Sequence, residues 1–241
     1  MRLLTLAAVA GLSVAVSACG QGDSNPAFGA RVRAYLLEHP EVLQEAMTKL
    51  QERQEAQALA AARAALPRVR TALERDPRDF VANPNGRITV TEFYDYRCGH
   101  CINIAPHILQ LIQDNPDVRF VFKEMPIFGD TSDRAAYAAI AVHRAGGDSL
   151  GLYRAFMTTR GLDDAAVARL AAAHGASAAV LADPNFMREA AAQLLDTHAL
   201  ASELGMTGTP GFVVGDDIIV GENLPEIQRA IAAQRRALPR S

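Results

Sequence analysis

Two hydrophobic periods alternate along the chain beyond its apolar leader. Phe28, Val32, Tyr35 and Leu36 recur at three- and four-residue steps, the period of an amphipathic helix. Pro40 suits the first turn of a second helix, where its missing N–H leaves no bond unmade. Leu43, Met47 and Leu50 then line one face among Glu, Gln, Arg and Lys. The seven-residue repeat lapses at Gln57, and apolar positions resume at Leu59, Ala60 and Leu66. So narrow and interrupted a stripe makes no core alone. It must pack on the body of the chain or on another copy, and the lapse favours the body.

The period changes after Asn83-Pro84-Asn85-Gly86, a turn signal. Ile88, Val90, Glu92 and Tyr94 alternate with Thr89, Thr91 and Phe93, a β-branched and aromatic strand. A helix over Cys98 to about Gln113 and a strand over Val118 to Phe122 complete a right-handed βαβ unit. From Asp133 to about Gly205 the sequence is Ala-rich and helical, interrupted near Gly146-Gly147, Gly161, Gly175 and Pro184. Phe212–Val214 and Ile218–Val220 flank Gly215-Asp216-Asp217 as a hairpin, and a closing helix runs from about Pro225 to Arg236. The predicted fold is α/β: a helical arm, then βαβ, a helical insertion and ββα.

The leader changes the picture of where this fold works. Residues 1–18 carry one early positive charge at Arg2, an apolar run and small residues, the form of a secretory signal. Val16-Ser17-Ala18-Cys19 resembles the lipobox of bacterial lipoproteins, in which the cysteine is lipidated. An ordinary signal cleaved after Ala18 also fits the sequence. It would leave Cys19 as an odd thiol in an oxidising compartment, which favours lipidation. Residues 19–26 then form a polar tether, and Gly20 after the cysteine favours the outer membrane by the sorting rule of those lipoproteins.

Composition narrows the function classes. Of 241 residues 49% are hydrophobic, too many for a disordered chain, and three cysteines are too few for a disulfide scaffold. With 24 basic against 27 acidic residues, no charge excess is left to hold a nucleic acid.

The candidate chemistry is Cys98-Gly99-His100-Cys101, where a strand gives way to a helix. A helix N-terminus offers free N–H groups and partial positive charge to a thiolate, so Cys98 is placed as the nucleophile. Cys101, one turn on, can close a disulfide or resolve a mixed one. His100 adds a donor or positive charge beside Cys98. Structural zinc lacks two ligands, since Cys19 is remote and His107 cannot complete the site. A static disulfide, Cu(I) capture by the two thiols, and a docking module remain as alternatives. Glu92 is a carboxylate on an otherwise apolar strand face, so it serves chemistry or is paired, and Lys123 on the neighbouring strand is the candidate partner. Pro210 in Gly208-Thr209-Pro210-Gly211 is an ordinary turn proline or a cis site. His39, His143, His174 and His198 read as helix-surface residues, and Met47, Met125 and Met206 as packing residues.

In these motifs the sequence resembles the DsbA-like thioredoxin-fold thiol–disulfide oxidoreductases of the bacterial envelope. Beyond the C-x-x-C, Glu92 lies six residues before Cys98, where that family places a buried acid serving the resolving cysteine. Gly208–Gly215 looks like its cis-proline loop, with Thr209 and Pro210 beside substrate, and the helical insertion looks like its elaboration. The phrases Val32–Leu43 and Phe122–Ile127 are most similar to the suppressor-of-copper-sensitivity protein C group. The resemblance implies a helical arm at 27–77 and a catalytic domain at 78–241 with its insertion at about 131–206. It implies no organic cofactor, substrates that are exported proteins with cysteines, and a membrane redox partner, a reductase for an isomerase or a quinone-linked oxidase for an oxidase. It also implies a homo-oligomer, a trimer in some members, in the periplasm. Thr209 and the arm lean towards isomerase, with a DsbA-type oxidase as the alternative.

Overall fold

Residues 26–238 are described in the computed structural model of the chain. The signal segment 1–18, Cys19 and nearly all of the 19–26 tether lie outside the described residues. In chain order the elements are α1 (Pro26–Glu38), α2 (Glu41–Glu74), β1 (Phe80–Ala82), β2 (Ile88–Tyr94), α3 (Gly99–Asp114) and β3 (Val118–Glu124). Then come α4 (Asp130–Arg144), α5 (Ser149–Thr158), α6 (Asp164–Ala173), α7 (Ala178–Leu181) and α8 (Pro184–Glu203). The hairpin β4 (Gly211–Val214) and β5 (Asp217–Val220) leads into α9 (Leu224–Ala237).

The chain divides into two units, one up to Arg53 and one from Gln54. The first holds α1 and the start of α2, and Val32, Tyr35, Leu43, Met47 and Leu50 are exposed there. Met47, expected to pack, therefore does not, because nothing in its own unit covers that face among the described residues. Pro40 stands just before α2 rather than in its first turn.

In the second unit the sheet order is β1-β3-β2-β4-β5. β2 and β3 run parallel from Ile88 opposite Val118 to Tyr94 opposite Glu124, while β4 pairs antiparallel with β2 and β5 with β4. The turn before β2 is fixed by two residues. Asn83 takes a positive φ of 51° and its amide donates to the Ile112 carbonyl at 2.8 Å. Gly86 passes so close to β3 that a Cβ there would lie 2.4 Å from the Arg119 nitrogen. The edge strand β1, antiparallel to β3, was not anticipated, since its Phe-Val-Ala is too short to show a period.

Alternation along β2 and β3 sends their side chains to two cores. Val90, Tyr94, Phe120 and Phe122 join α3, α4, α5 and α9 in the larger core. Phe93 and Val213 face Leu66, Val69 and Leu73 of α2 and Leu200 and Leu204 at the end of α8. The second half of α2 thus packs on its own body. The insertion breaks where the glycines predicted: α4, α5 and α6 end at Arg144, Thr158 and Ala173, and Pro184 opens α8 behind the Asp183 cap.

The last carbonyls of α2, left over by the helix itself, are taken by side chains from the sheet. Lys123 Nζ donates to Ala72 O at 2.6 Å, Thr91 Oγ1 to Leu73 O at 3.2 Å, and the Arg119 guanidinium to Glu74 O. Two of the three are cations, the charge that suits a helix C-terminus. Lys123 also lies 2.5 Å from Asp79 Oδ2, an ion contact without the angles of a hydrogen bond, with both side chains buried. Burial is the main cause that lifts the Asp79 carboxyl to about 6, and the Lys123 charge pulls against it. Lys123 is therefore not the partner of Glu92. It stands opposite Phe93 in the register and Glu92 opposite Phe122, so the two side chains leave the sheet on opposite faces.

Breaking such a pair leaves a buried charge unpaired. Lys123→Met is expected to lose about 3–5 kcal/mol in urea unfolding, and adding Asp79→Leu should restore most of it. An additive loss in the double variant would contradict this pairing.

Candidate active site

β2 delivers the chain to a short loop, Asp95-Tyr96-Arg97, and then to Cys98 at the N-cap of α3. The loop is held by Asp95, which is buried. Its Oδ1 accepts from the Arg97 N–H at 2.7 Å and the Ser132 hydroxyl at 2.8 Å, and its Oδ2 from the Ile127 and Phe128 N–H groups. One carboxylate thereby ties the approach to Cys98 to the connection between β3 and α4. Nothing in the sequence pattern marked it.

Cys98 has extended backbone (φ −72°, ψ 120°) and no side-chain cap, so the N–H groups of the first turn of α3 have no side chain satisfying them there. Its Sγ lies 3.2 Å from the Thr209 carbonyl and donates to it. The Thr209–Pro210 bond is cis. Pairing of β4 with β2 begins at Gly211, so Thr209 stands outside the ladder, and its Oγ1 is buried without a hydrogen-bond partner among the described residues. Gly99 opens the helix in exposed, open space where a Cβ would meet nothing.

Cys101 sits one turn in and is fully buried; both cysteines are free thiols. Burial pushes the Cys101 thiol far above its usual range, and the nearby Cys98 and Glu92 add to the rise. A proton acceptor near Cys101 is thus a chemical necessity for any step in which it attacks. Glu92 fits that need. It is buried, desolvation lifts its carboxyl to about 8, and its oxygens accept from the Tyr153 hydroxyl at 3.2 and 3.4 Å. Tyr153, from α5 of the insertion, is the partner the sequence left unnamed. It is sixty-one positions from Glu92, and no local pattern joins the two.

His100 is exposed, and its Nδ1 lies 3.1 Å from Glu222 Oε1 in the loop after β5. The structure therefore gives it a carboxylate partner across the site as well as its place beside Cys98. The other histidines differ from one another. His143 is half-buried, its ring edge-on to Phe80 at 5.9 Å, and not the surface residue expected. His174 closes the end of α6 beside Asp148. Met125 and Met206 are buried packing residues as expected. Among the described residues no group of three or more His, Cys, Asp or Glu could hold a metal ion.

A dithiol at a helix start, the Thr209 carbonyl before a cis-proline against its first sulfur and a buried acid near its second are joined here about one sheet. Residues 89–232 match the DSBA-like thioredoxin domain. The chain belongs to that family. Residues 26–57 match the copper resistance protein ScsC N-terminal domain. Among solved structures, a thioredoxin-like oxidoreductase from Silicibacter pomeroyi is 35% identical, with 70% of this chain and 99% of that one covered at a TM-score of 0.64. BcfH of Salmonella enterica Typhimurium is 29% identical over 86% and 94% of the two chains, with a TM-score of 0.66. Proteus mirabilis ScsC in a transitional conformation is 25% identical over 89% and 100%, at 0.63. No protein with a curated description matches. The DsbA-like family carries the thiol–disulfide oxidoreductase chemistry and the thioredoxin fold with its helical insertion, which the five-stranded sheet and the α4–α8 segment display.

Buried acids in this DsbA-like domain leave a signature in its stability. Glu92 binds its proton more tightly folded, at about 8, than at the ordinary 4.5. Stability is therefore full below about 4.5 and falls as pH rises towards 8. Glu92→Gln is expected to flatten that fall, gaining most over the parent at pH 9 and least at pH 4 in urea unfolding. An unchanged pH dependence would mean that Glu92 is not protonated in the folded protein.

Proposed function

We propose that the chain is an exported thiol–disulfide exchange enzyme acting on cysteine-bearing proteins of the periplasm, with disulfide isomerisation as its main work. The contact of Cys98 Sγ with the Thr209 carbonyl carries this reading. It puts the nucleophile beside a backbone segment outside the sheet ladder, where an extended substrate can add its own strand.

In isomerisation the Cys98 thiolate attacks a substrate disulfide, forming a mixed disulfide and releasing a substrate thiolate. That thiolate attacks elsewhere in the substrate, and Cys98 leaves when the correct pair has closed. If the mixed disulfide stalls, Cys101 attacks Cys98 and frees the substrate reduced. In the oxidative direction a substrate thiolate attacks the Cys98–Cys101 disulfide at Cys98 and Cys101 leaves. Glu92 accepts and returns the Cys101 proton in both directions, and no organic cofactor is needed.

The isomerase reading draws on the match of residues 26–57 to the ScsC N-terminal domain and on the exposed stripe Val32, Tyr35, Leu43, Met47 and Leu50. That stripe suits self-association, and a homo-oligomer presents several dithiols to one substrate. An isomerase starts its cycle reduced, so a membrane reductase is its partner, whereas an oxidase would need a quinone-linked one. The leader and Cys19 support export and attachment to a membrane, the outer one favoured by Gly20.

Three measurements test this. Cys101→Ser should trap substrate proteins in cells as mixed disulfides through Cys98. A module that only captures Cu(I) or docks peptides would trap none. Acid quench and alkylation of intact cells should find Cys98 and Cys101 mostly reduced; a mostly disulfide-bonded pair would make the chain an oxidase. Leu43→Glu with Met47→Glu should convert an oligomer to a monomer in light scattering, and a parent already monomeric would remove the oligomer from the proposal.

A further inference from the structure

A second, half-buried carboxyl lies behind the site and takes no part in the scheme above. Glu124, the last residue of β3, stands opposite Tyr94 in the register. Its Oε1 accepts from the Tyr94 hydroxyl and, at 2.9 Å, from the Tyr96 hydroxyl, and those two hydroxyls lie 3.1 Å apart. Tyr153, the donor to Glu92, packs edge-on against Tyr94 with ring centroids 5.3 Å apart and against Tyr96 at 6.2 Å. Tyr94, Tyr96, Tyr153 and Glu124 line one cavity of about 20 Å³, room for about one water. Half-buried His143, Ser149 and Arg78 form its other wall, towards solvent.

Tyr153, which holds one acid, and Tyr94 and Tyr96, which hold the other, open on one cavity, an unusual way to fill a core where tyrosine–carboxyl bonds could each have been apolar contacts. We propose that Glu124 is a positioning residue for the exchange reaction. It is the second site of a shared proton store that unloads and reloads Glu92 through Tyr153, Tyr94, Tyr96 and the cavity between them. This rests on the exchange role given above to Cys98, Cys101 and Glu92.

The step balances as follows. Cys101–SH gives its proton to the Glu92 carboxylate, and the new thiolate attacks Cys98 Sγ. The Cys98–substrate S–S bond breaks with its electron pair on the substrate sulfur, which takes a proton from solvent. The Cys98–Cys101 pair is oxidised by two electrons and the substrate disulfide is reduced by two. Glu92 then passes its proton to the Tyr153 oxygen while the hydroxyl proton of Tyr153 crosses the water-sized cavity that Tyr153 and Glu124 both line to reach the Glu124 carboxylate, leaving Tyr153 neutral.

The surroundings suit such a store. Desolvation lifts Glu124 to about 8, the same level as Glu92, with the two tyrosine hydroxyls pulling it down and Asp95 and Glu92 adding to the rise. Two like sites of equal affinity that feel each other titrate as a pair. Arg78 in the cavity wall is already engaged by Asp76 and Asp196, and burial lowers the His143 imidazole towards its neutral form. Neither cation is therefore committed to either carboxyl.

Two readouts on the full chain test the proposal. The first is the infrared carbonyl band of protonated carboxyls against pH, which needs no activity. Glu124→Gln should remove one titrating carboxyl and lower the midpoint of Glu92 by about one pH unit, the effect of losing a like charge. An unmoved Glu92 midpoint overturns the store. Tyr96→Phe keeps the ring and removes one bond to Glu124; it should move the Glu124 midpoint upward and serves should the glutamine variant fail to fold.

The second readout is the pH profile of Cys101 closing on a Cys98–glutathione mixed disulfide. Glu124→Gln should slow closure about tenfold and move its midpoint down, against a loss of about 10²-fold or more in Glu92→Gln. A parental profile in Glu124→Gln, with Glu92→Gln slow, overturns the store and leaves the role of Glu92 standing. A parental profile in Glu92→Gln removes that role and overturns the store with it.

Discussion

A strand side chain can leave its sheet on one face only, and on β2 that parity decides the rest of the molecule. Even positions send Val90, Glu92 and Tyr94 to the face covered by α3 and α5; odd positions send Thr91 and Phe93 to the face covered by α2 and α8. A slip of one residue would put the carboxylate of Glu92 against Leu66 and Leu73 and take it from Tyr153. Cys98 then follows from where β2 ends, because the strand, the Asp95-held loop and the start of α3 are continuous. The dithiol, its acid and its partner strand β4 are all referred to one central element that is buried on both sides.

The opposite face is devoted to holding α2. Lys123, Thr91 and Arg119 reach through to the last carbonyls of that helix, and Leu66, Val69 and Leu73 seal it to the sheet. Lys123 itself could not be buried without Asp79, and Asp79 could not stay charged without Lys123. Among the described residues the sheet thus carries acids bonded to tyrosines rather than to a cation on one face, and an ion pair on the other. Burial therefore keeps Glu92 and Glu124 high in affinity for protons: a lysine bonded to either would pull it down into the ordinary range, ionised at neutral pH but a far weaker base towards the Cys101 thiol.

Much of this was legible in the chain because it is local. The Cys-Gly-His-Cys at a strand-to-helix change, the alternation of β2, the Gly-Asp-Asp hairpin and the glycine breaks of the insertion each lie within a few residues of their own signal. What escaped lies across the fold. Tyr153 meets Glu92 from sixty-one positions away, Glu124 meets Tyr94 and Tyr96 only through the β2–β3 register, and Asp95 is read as a cap only once the β3–α4 loop arrives. β1 has three residues and no room for a period. The choice of Lys123 for Glu92 failed for a definable reason: neighbouring strands were known, but their register was not, and register assigns the face.

The C-x-x-C dipeptide does not by itself choose between making and rearranging disulfides, because potential depends on how well each sulfur's charge and proton are accommodated. Here the two sulfurs are treated differently. Cys98 has a helix start, the Thr209 carbonyl and an exposed His100 whose imidazole is held by Glu222. Cys101 has burial, which raises its proton affinity well beyond the ordinary thiol. In the isomerase cycle proposed above, keeping Cys101 protonated would let a mixed disulfide at Cys98 persist while substrate sulfurs rearrange, since the resolving attack waits for a proton to be accepted. On the proposed isomerase reading, the balance between isomerisation and release turns on the proton of Cys101 and on the acid that would accept it, more than on the two residues between the cysteines.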